Sequence, residues 1–335
     1  MTRLVQLKHP EKGRRVAIVA GEELRLLRGY GSIYAVAQAA IAAGKSLADI
    51  VADSAIDEAL DYDKIHRAET NWLILPAFDH PEEPARCLVT GTGLTHKASA
   101  ENRAAMHANA QKTAVITDSM RMFQLGVEGG RPAAGQIGVS PEWFYKGCGT
   151  ILRGHNDPLE VPSFADDGGE EAEVAGIYLV DPSGRPRRIG MALANEFSDH
   201  VLERKNYLYL APSKLRTCAI GPELVIEPDF VNARGTVRIE RKGKSVWSET
   251  FFTGETNMAH TVENIEHHHF KYAAHCRPGD VHVHFFGADV FSFGAGVKLE
   301  DGDVTQIELS GFGRPLRNTI RIDRSPARHV KVEPI

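Results

Sequence analysis

Two glutamates separated by one residue, Glu171 and Glu173, form the first pair in this sequence whose spacing suggests chemistry. They open an apolar run, 174–180, that is typical of a buried β-strand. Residues two apart in a strand point to the same face, so the sequence predicts that both carboxylates approach one point. Two adjacent carboxylates repel each other unless a cation lies between them, and hard cations such as Mg²⁺, Mn²⁺ or Ca²⁺ prefer oxygen ligands. The alternative is a solvated acidic turn that follows residues 166–169.

A third carboxylate and a lysine follow further along the chain. Glu196 comes after the short apolar run 191–194, where it is either a further metal ligand or a capping residue. Lys214 is expected in a turn just before the apolar segment 218–225. A lysine there could bind a substrate carboxylate or oxyanion, although lysines in loops are usually solvated. None of these residues decides between the alternatives by itself.

The histidines are weaker candidates. His267–His269 lies in a predicted helix, where consecutive side chains point in different directions, so we expect surface histidines and no common metal site. His282 and His284 alternate on one face of a predicted strand, a geometry that could bind zinc. No third ligand lies nearby in the sequence, and no metal is therefore assigned to this pair.

The elements that must position these residues indicate an α+β fold. In the first eighty or so residues, a strand at 15–19 precedes a helix at 32–43 and a second helix at 46–52, which starts on Ser46 as the N-cap. After the Pro-bearing linker 81–84 the sequence changes to short β-like runs with few helices. Those strands are predicted at 87–90, 174–180, 219–226, 235–240, 281–286 and 304–309, and the helices near 99–110, 198–205 and 262–275. We therefore predict a small N-terminal α/β lobe, residues 1–82, and a larger β-rich domain, residues 83–335.

Composition excludes several classes of protein. The 335 residues carry a formal net charge of −5, and Lys and Arg are spread along the chain, so a nucleic-acid partner is not expected. The longest apolar stretch, 35–43, is too short to span a bilayer, and the first ten residues lack the apolar run of a secretory signal. The four cysteines form no CxxC pair and are predicted to be reduced. These features predict a cytoplasmic protein without a membrane partner.

Several short motifs follow one another in order over roughly residues 88–322. They are Phe144-Tyr145-Lys146-Gly147, Gly154 to Pro158, Glu171-Ala172-Glu173, Asn195-Glu196, Lys214, Gly221-Pro222, Arg277 to Val281, Gly294 to Leu299, Asp301 to Val304, Gly311-Phe312-Gly313 and Leu316-Arg317-Asn318. In this order the chain resembles the fumarylacetoacetate hydrolase superfamily.

The resemblance implies three things: a β-rich catalytic domain of that superfamily, the metal site of the family, and a homodimer. The metal, Mg²⁺ or Mn²⁺, would be held by Glu171, Glu173 and the acid of the family's Ala-Asn-Asp segment. Glu196 stands at that place, with one more methylene. Lys214 matches the family lysine that points at metal-bound substrate oxygens. The substrate-binding residues implied in this way are Thr92, Gly93, Tyr145, Lys146 and Thr256.

The departures from the family pattern concern the reaction. Hydrolytic members carry a His-x-x-Glu dyad that activates water, whereas here His96 is displaced from the expected position and Glu101 follows it five residues later. An arginine usual after the third ligand is replaced by His200, and a Gly-Thr-Pro segment has become Phe286-Gly287-Ala288. Together with the segments 90–96 and 254–258, these changes resemble the 2-keto-3-deoxy-pentonate dehydratase branch of the superfamily.

The expected reaction is therefore a metal-dependent dehydration of a 2-keto-3-deoxy sugar acid. The metal would stabilise the enolate formed when carbon 3 loses its proton, and the hydroxyl at carbon 4 would leave as water, giving 2-oxoglutarate semialdehyde. His96 is the leading acid or base, Glu101 its possible orienter, and Lys214 the cationic partner of the enolate. The alternatives are an acylpyruvate-type hydrolase or oxaloacetate decarboxylase with the same metal site, and a sugar-acid sensor without catalysis.

Overall fold

The structure is a computed structural model that describes residues 1–108 and 116–335. Its strands are β1 (Arg3–His9), β2 (Gly13–Ala20), β3 (Glu23–Leu27), β4 (Ile56–Asp61), β5 (Leu73–Ile74), β6 (Cys87–Gly91), β7 (Phe144–Cys148), β8 (Leu152–Arg153), β9 (Leu159–Val161), β10 (Ala172–Val180), β11 (Pro186–Asn195), β12 (Cys218–Val225), β13 (Ala233–Arg241), β14 (Lys244–Thr253), β15 (Val281–Phe285), β16 (Val304–Leu309) and β17 (Leu316–Ile322). The helices are α1 (Ile33–Ala43), α2 (Leu47–Asp53), α3 (Tyr62–His66), α4 (Lys97–Ala108), α5 (Asp118–Gly129), α6 (His200–Lys205), α7 (Leu210–Lys214) and α8 (Val262–Phe270).

The first two helices begin and end where local chemistry places them. Ser32 caps α1 by accepting a hydrogen bond from the amide of Ala35, and Gly44 ends the helix in the left-handed conformation, with φ of 63°. Ser46 and Asp49 form a reciprocal capping box at the start of α2. Because these signals are local, the sequence predicted both helices to within one residue.

A twelve-stranded sheet carries the candidate site. Ten strands follow the order β4-β3-β2-β1-β12-β11-β10-β15-β6-β7, and β5 and β8 pair with β1 and β12. Strand β1 pairs with β12, which joins the N-terminal strands to the sheet of the larger part of the chain. The predicted boundary after residue 82 stays a prediction.

Two hydrophobic cores cover the two faces of this sheet. On one face, alternate residues of β10 and β15, such as Ile177 and Val283, pack with Ile33 and Val36 of α1. On the other face, Val174 and Leu193 pack against the second sheet, whose order is β14-β13-β16-β17-β9. All nine residues of β10 are buried because the strand is covered on both faces. The β-rich α+β architecture that the sequence predicted is thus confirmed.

Some predicted elements differ from the observed ones. Helix α5 and strands β1, β3 and β4 were not predicted, and α8 ends at Phe270, five residues before the predicted end. The predicted helix near 99–110 corresponds to α4, but its last two residues lie outside the described residues. In the described ranges no single helix is long and apolar enough to cross a membrane; α1 and α2 pass this test only as a pair bent by 103°.

Candidate metal centre and active site

Three buried glutamates meet at one end of the twelve-stranded sheet. Glu171 and Glu173 lie at the start of β10, and Glu196 directly follows β11. Antiparallel pairing of these strands places Glu196 opposite Glu171, and the amide of Glu196 donates to the carbonyl oxygen of Glu171 over 3.0 Å. One carboxylate oxygen from each side chain lies within 4.8 Å of the other two. The structure thus brings together the three predicted ligands, hereafter the glutamate triad.

The electrostatics of the glutamate triad fit a cation. Burial raises the pKa of Glu173 well above its usual value, and the neighbouring charges of Glu196 and Glu171 raise it further. Burial and the charge of Glu171 likewise raise the pKa of Glu196. Burial also acts to raise the pKa of Glu171, but Lys214 and His200 outweigh it and hold that pKa well below its usual value. Three hard oxygen donors, two of them with a raised pKa, form an environment that a divalent cation such as Mg²⁺ would stabilise.

Two buried lysines bind the glutamate triad. Lys214 ends helix α7 and was predicted in a turn; its Nζ lies 2.6 Å from Glu171 Oε1 and 2.6 Å from Glu196 Oε2. Burial alone would lower the pKa of Lys214, but these two carboxylates raise it above its usual value, so the ammonium stays charged. Lys146 lies on β7, with its Nζ 2.5 Å from Glu196 Oε1. It also donates to the carbonyl oxygens of Phe197 and Lys214, so one of its three protons binds Glu196 and the other two anchor the ammonium beside it.

His200 contacts the glutamate triad, although no role was predicted for it. Its Nε2 lies 3.0 Å from Glu171 Oε1, and its ring stacks on Phe291 with 5.0 Å between the ring centroids. Burial would lower the pKa of His200, but the hydrogen bond and the charge of Glu171 more than offset this and raise it. In the sequence, the one signal for a role of His200 was that it replaces the family arginine. Asp199, the N-cap of α6, fixes the position of His200.

Glu173 is oriented by the segment that replaces the family's Gly-Thr-Pro motif. The amide of Gly287 donates to Glu173 Oε2 over 2.7 Å. Gly287 has a φ of 96°, and a Cβ atom there would lie 2.1 Å from Thr95 Oγ1. Only glycine therefore allows this backbone to approach both Thr95 and the glutamate.

His96 is buried beside this segment and is bonded only to threonine hydroxyls. Thr95 donates its hydroxyl proton to the carbonyl oxygen of Phe286, so it must accept from His96 Nδ1, 2.8 Å away. The other ring nitrogen, Nε2, then accepts from the hydroxyl of Thr253 at 3.2 Å. Burial lowers the pKa of His96 to about 4, which keeps the ring neutral. These contacts favour a positioning role, and its predicted proton transfer stays a prediction.

The structure contradicts the predicted pairing of Glu101 with His96. Glu101 lies on the exposed side of α4, where its carboxylate is 3.6 Å from the ammonium of Lys97. Neither ring nitrogen of His96 bonds to it, because both are taken by threonines. Glu101 therefore cannot orient His96 in this conformation.

Three of the predicted substrate-binding residues, Thr92, Gly93 and Lys146, have surroundings that differ from one another. Gly93 packs against the carboxylate of Glu142, and its predicted contact with substrate stays a prediction. The hydroxyl of Thr92 is bonded to His284 Nε2 at 2.7 Å, on the face of the sheet opposite Glu173. Lys146 lies within the site, as described above.

Two other residues of that predicted set do not face the site. Tyr145 is 45% exposed and neighbours the fully buried Lys146 on β7, so it points to the opposite face. Thr256 lies in an exposed turn and donates its hydroxyl proton to the carbonyl oxygen of Val231. These positions give no support to substrate contact by Tyr145 or Thr256, which stays a prediction.

His268 and His269 of α8 are buried, which corrects the expectation of surface histidines there. His269 is 1% exposed and contacts His282, with 2.9 Å between Nε2 and Nδ1. Helix α8 packs over β15, and this contact was not visible in the sequence. Within the described ranges, the glutamate triad is the one cluster of three potential ligands with metal-binding geometry, so the contact with His269 does not make a metal site of His282 and His284.

A surface cavity of about 980 Å³ lies away from the glutamate triad. It runs between the ends of α1 and β11 and is lined by Gly44, Arg188, Phe230 and Glu263 among others, none of them a predicted site residue. The triad itself is covered, with exposures of 0 to 7%. Admission of a substrate therefore requires the side chains over the triad to move.

No protein-family model and no curated protein sequence matches this chain. Solved structures match it over nearly its whole length. A hexagonal crystal form of 2-keto-3-deoxyarabinonate dehydratase is 18% identical with a TM-score of 0.71, and the match covers 96% of this chain and 100% of that one. The 2-keto-3-deoxy-D-arabinonate dehydratase complexed with magnesium and 2,5-dioxopentanoate has a TM-score of 0.70 with the same identity and coverage.

A second activity is represented among the similar structures. The 5-carboxymethyl-2-hydroxymuconate delta-isomerase from Mycobacterium smegmatis is 16% identical with a TM-score of 0.56, and the match covers 96% of this chain and 100% of that one. The higher TM-scores belong to the dehydratase. The resemblance found in the sequence is confirmed in three dimensions: this chain has the fold of the fumarylacetoacetate hydrolase superfamily and is similar in structure to its 2-keto-3-deoxy-D-arabinonate dehydratase.

Proposed function

We propose that this protein is a magnesium-dependent hydro-lyase that dehydrates a 2-keto-3-deoxypentonate to 2-oxoglutarate semialdehyde. The observation that carries the proposal is the buried glutamate triad with Lys214 against two of its carboxylates. The similar dehydratase structure holds magnesium and 2,5-dioxopentanoate, which is the systematic name of 2-oxoglutarate semialdehyde. The fold alone does not select a reaction, since an isomerase shares it, so the proposal rests on the site.

Charge balance supports a singly charged substrate. Counted as ionised groups, the three glutamates and the two lysines carry one unbalanced negative charge in a buried site. A divalent cation converts this into one positive charge, which a single substrate carboxylate balances. A 2-keto-3-deoxypentonate carries one carboxylate, whereas oxaloacetate carries two. The charge balance therefore favours dehydration of a sugar acid over decarboxylation of oxaloacetate.

The residues of this chain have separate tasks in the proposed reaction. A bound Mg²⁺ would supply Lewis acidity, which acidifies the carbon next to the 2-oxo group. Lys214 presents a permanent positive charge to the negative charge that develops on the substrate. Lys146 and His200 hold Glu196 and Glu171 in position. Loss of a proton at carbon 3 and of hydroxide at carbon 4, followed by tautomerisation, gives the aldehyde and one water.

Turnover of purified protein tests the proposal. We expect the protein with Mg²⁺ to convert a 2-keto-3-deoxypentonate of one configuration into 2,5-dioxopentanoate, detected by NMR, and to lose this activity with EDTA and regain it with Mg²⁺. Turnover of acylpyruvates or oxaloacetate without the sugar acid would establish the alternative instead. Binding of the sugar acid without turnover of any of these compounds would identify a sensor.

We also propose that the protein is a homodimer. Leu208, Tyr209 and Leu215, which flank helix α7, are 83, 47 and 50% exposed. Exposed apolar residues grouped near a site are typical of a surface that another subunit covers. Light scattering of the wild type and of Leu208→Glu tests this: a dimer is expected for the first and a larger monomer fraction for the second. A monomeric wild type would contradict the proposal.

A further inference from the structure

A second buried group of charged residues lies beside the glutamate triad. The guanidinium of Arg103 on α4 places Nη1 2.8 Å from both carboxylate oxygens of Glu142, and its Nε lies 2.7 Å from Glu203 Oε1 on α6. Tyr207 donates its hydroxyl proton to Glu142 Oε1 over 2.9 Å. Two carboxylates share one guanidinium, so this Arg103 cluster (Arg103, Glu142, Glu203 and Tyr207) carries a net negative charge.

The Arg103 cluster borders the triad from two directions. Glu203 follows His200 by three residues on α6, which places the two side chains on one side of the helix, and His200 contacts Glu171. From the other direction, a Cβ atom on Gly93 would lie 1.8 Å from Glu142 Oε2 and 3.6 Å from Arg103 Nη1. Gly93 follows Thr92, whose carbonyl oxygen packs on Gly287, the residue that binds Glu173.

One acceptor of the cluster is left without a hydrogen bond. Glu203 is 2% exposed, and its Oε1 makes no hydrogen bond of good geometry with any described residue, although Arg103 is close. This oxygen is ion-paired with Arg103 but has no aligned hydrogen bond, so it is free to accept one from a ligand. A ligand hydroxyl group would supply that hydrogen bond.

We propose that the Arg103 cluster recognises the hydroxylated end of the substrate and rejects a second carboxylate. This inference rests on the proposed function, in which the carboxylate and the 2-oxo group lie at the glutamate triad. The hydroxyls of the remaining carbons then lie beyond the triad, where Glu142 and Glu203 accept protons and Tyr207 and Arg103 supply polar contacts. The negative charge of the cluster repels a dicarboxylate of the same length.

Three ligands that this reaction cannot dehydrate separate recognition from turnover. Lactate has the carboxylate and the oxygen on carbon 2 but no tail, 2,4,5-trihydroxypentanoate adds the hydroxylated tail, and 2-hydroxyglutarate adds a carboxylate instead. Isothermal titration calorimetry of the magnesium-loaded protein measures each affinity. We expect the trihydroxy acid to bind at least about tenfold more tightly than 2-hydroxyglutarate.

Two variants test the cluster itself. Glu203→Gln and Tyr207→Phe should weaken binding of the trihydroxy acid roughly 10- to 100-fold, the loss that goes with one hydrogen bond to a charged group, and leave lactate within about twofold. Glu203→Gln should also tighten 2-hydroxyglutarate binding, because it removes a negative charge. Glu249→Gln, an exposed change on β14, is the matched control, and circular dichroism checks folding. Tyr207→Phe leaves the ion pairs of Arg103 intact if Glu203→Gln does not fold.

The outcomes are distinct for the two proposals. Equal weakening of lactate and the trihydroxy acid, or a wild type that does not distinguish the two tails, would overturn tail recognition by the Arg103 cluster. Discrimination as expected, without turnover of any 2-keto-3-deoxypentonate, supports tail recognition and overturns the proposed reaction alone.

Discussion

The amide of Gly287 donates a hydrogen bond of 2.7 Å to Glu173 Oε2, which ties a loop after β15 to the start of β10. A Cβ atom at this position would collide with Thr95 Oγ1, and the φ of 96° is unfavourable for any side chain. We predict that Gly287→Ala lowers kcat/KM at least about tenfold and weakens Mg²⁺ binding, measured by calorimetry, because Glu173 loses its orientation.

Gly302→Ala is the matched control for this change. Gly302 has a φ of 86°, but a Cβ atom there would meet nothing within 4 Å. It should cost about 1 kcal/mol of stability through backbone strain alone and leave Mg²⁺ affinity unchanged. Equal effects of the two substitutions on Mg²⁺ affinity would show that the contact with Glu173 has no role.

Glu173→Gln separates metal binding from stability. Burial and two like charges raise the pKa of Glu173, so its charged form destabilises the metal-free protein. The variant should therefore be at least as stable as the wild type without Mg²⁺, in urea unfolding, while its kcat/KM falls about a thousandfold or more. Full activity, or an ion located elsewhere by anomalous scattering, would remove the glutamate triad from the metal site.

His96→Gln tests whether His96 transfers a proton or positions the loop. Its hydrogen bonds to Thr95 and Thr253 predict a loss in kcat of about ten- to a hundredfold, with the pH profile of kcat unchanged. The disappearance of one limb of that profile would instead assign proton transfer to His96. An unchanged kcat would exclude both roles.

Buried neutral histidines predict acid sensitivity of the fold. Burial, and then the neighbouring His282 and His275, lower the pKa of His284 to about 3. The unfolded chain binds a proton at this residue below pH ~6.5, but the folded chain does so only near pH 3, so stability falls as the pH decreases between these values. The expected slope is about 1.4 kcal/mol per pH unit for one histidine.

Chemical denaturation at pH 7, 6 and 5 measures this slope. His284→Gln should lose stability less steeply with acidification than the wild type, by about 1 kcal/mol per pH unit. His329→Gln, in the exposed C-terminal segment, is the control and should keep the wild-type slope. The same slope in His284→Gln and the wild type would contradict the pKa assignment.

Much of the scaffold could be predicted from local patterns. The apolar run of β10, the N-cap serines of α1 and α2 and the glycine after α1 act through neighbouring residues, so the sequence alone located these elements. The spacing of Glu171 and Glu173 likewise placed both carboxylates on one face. Helix α5 was missed although Thr117 caps it, and most of its residues are not buried.

The composition of the site depended on contacts between distant residues. The sequence by itself determined that two glutamates share a face and that Glu196, Lys214 and Lys146 stand at matching motifs. Only the tertiary structure decided that Lys146 holds Glu196, that His200 binds Glu171, and that Tyr145 and Glu101 point away. Side chains alternate between the two faces of a strand, so their direction follows from the local sequence. A contact between strands far apart in sequence is fixed only when the sheets pack and bury the charged side chains together.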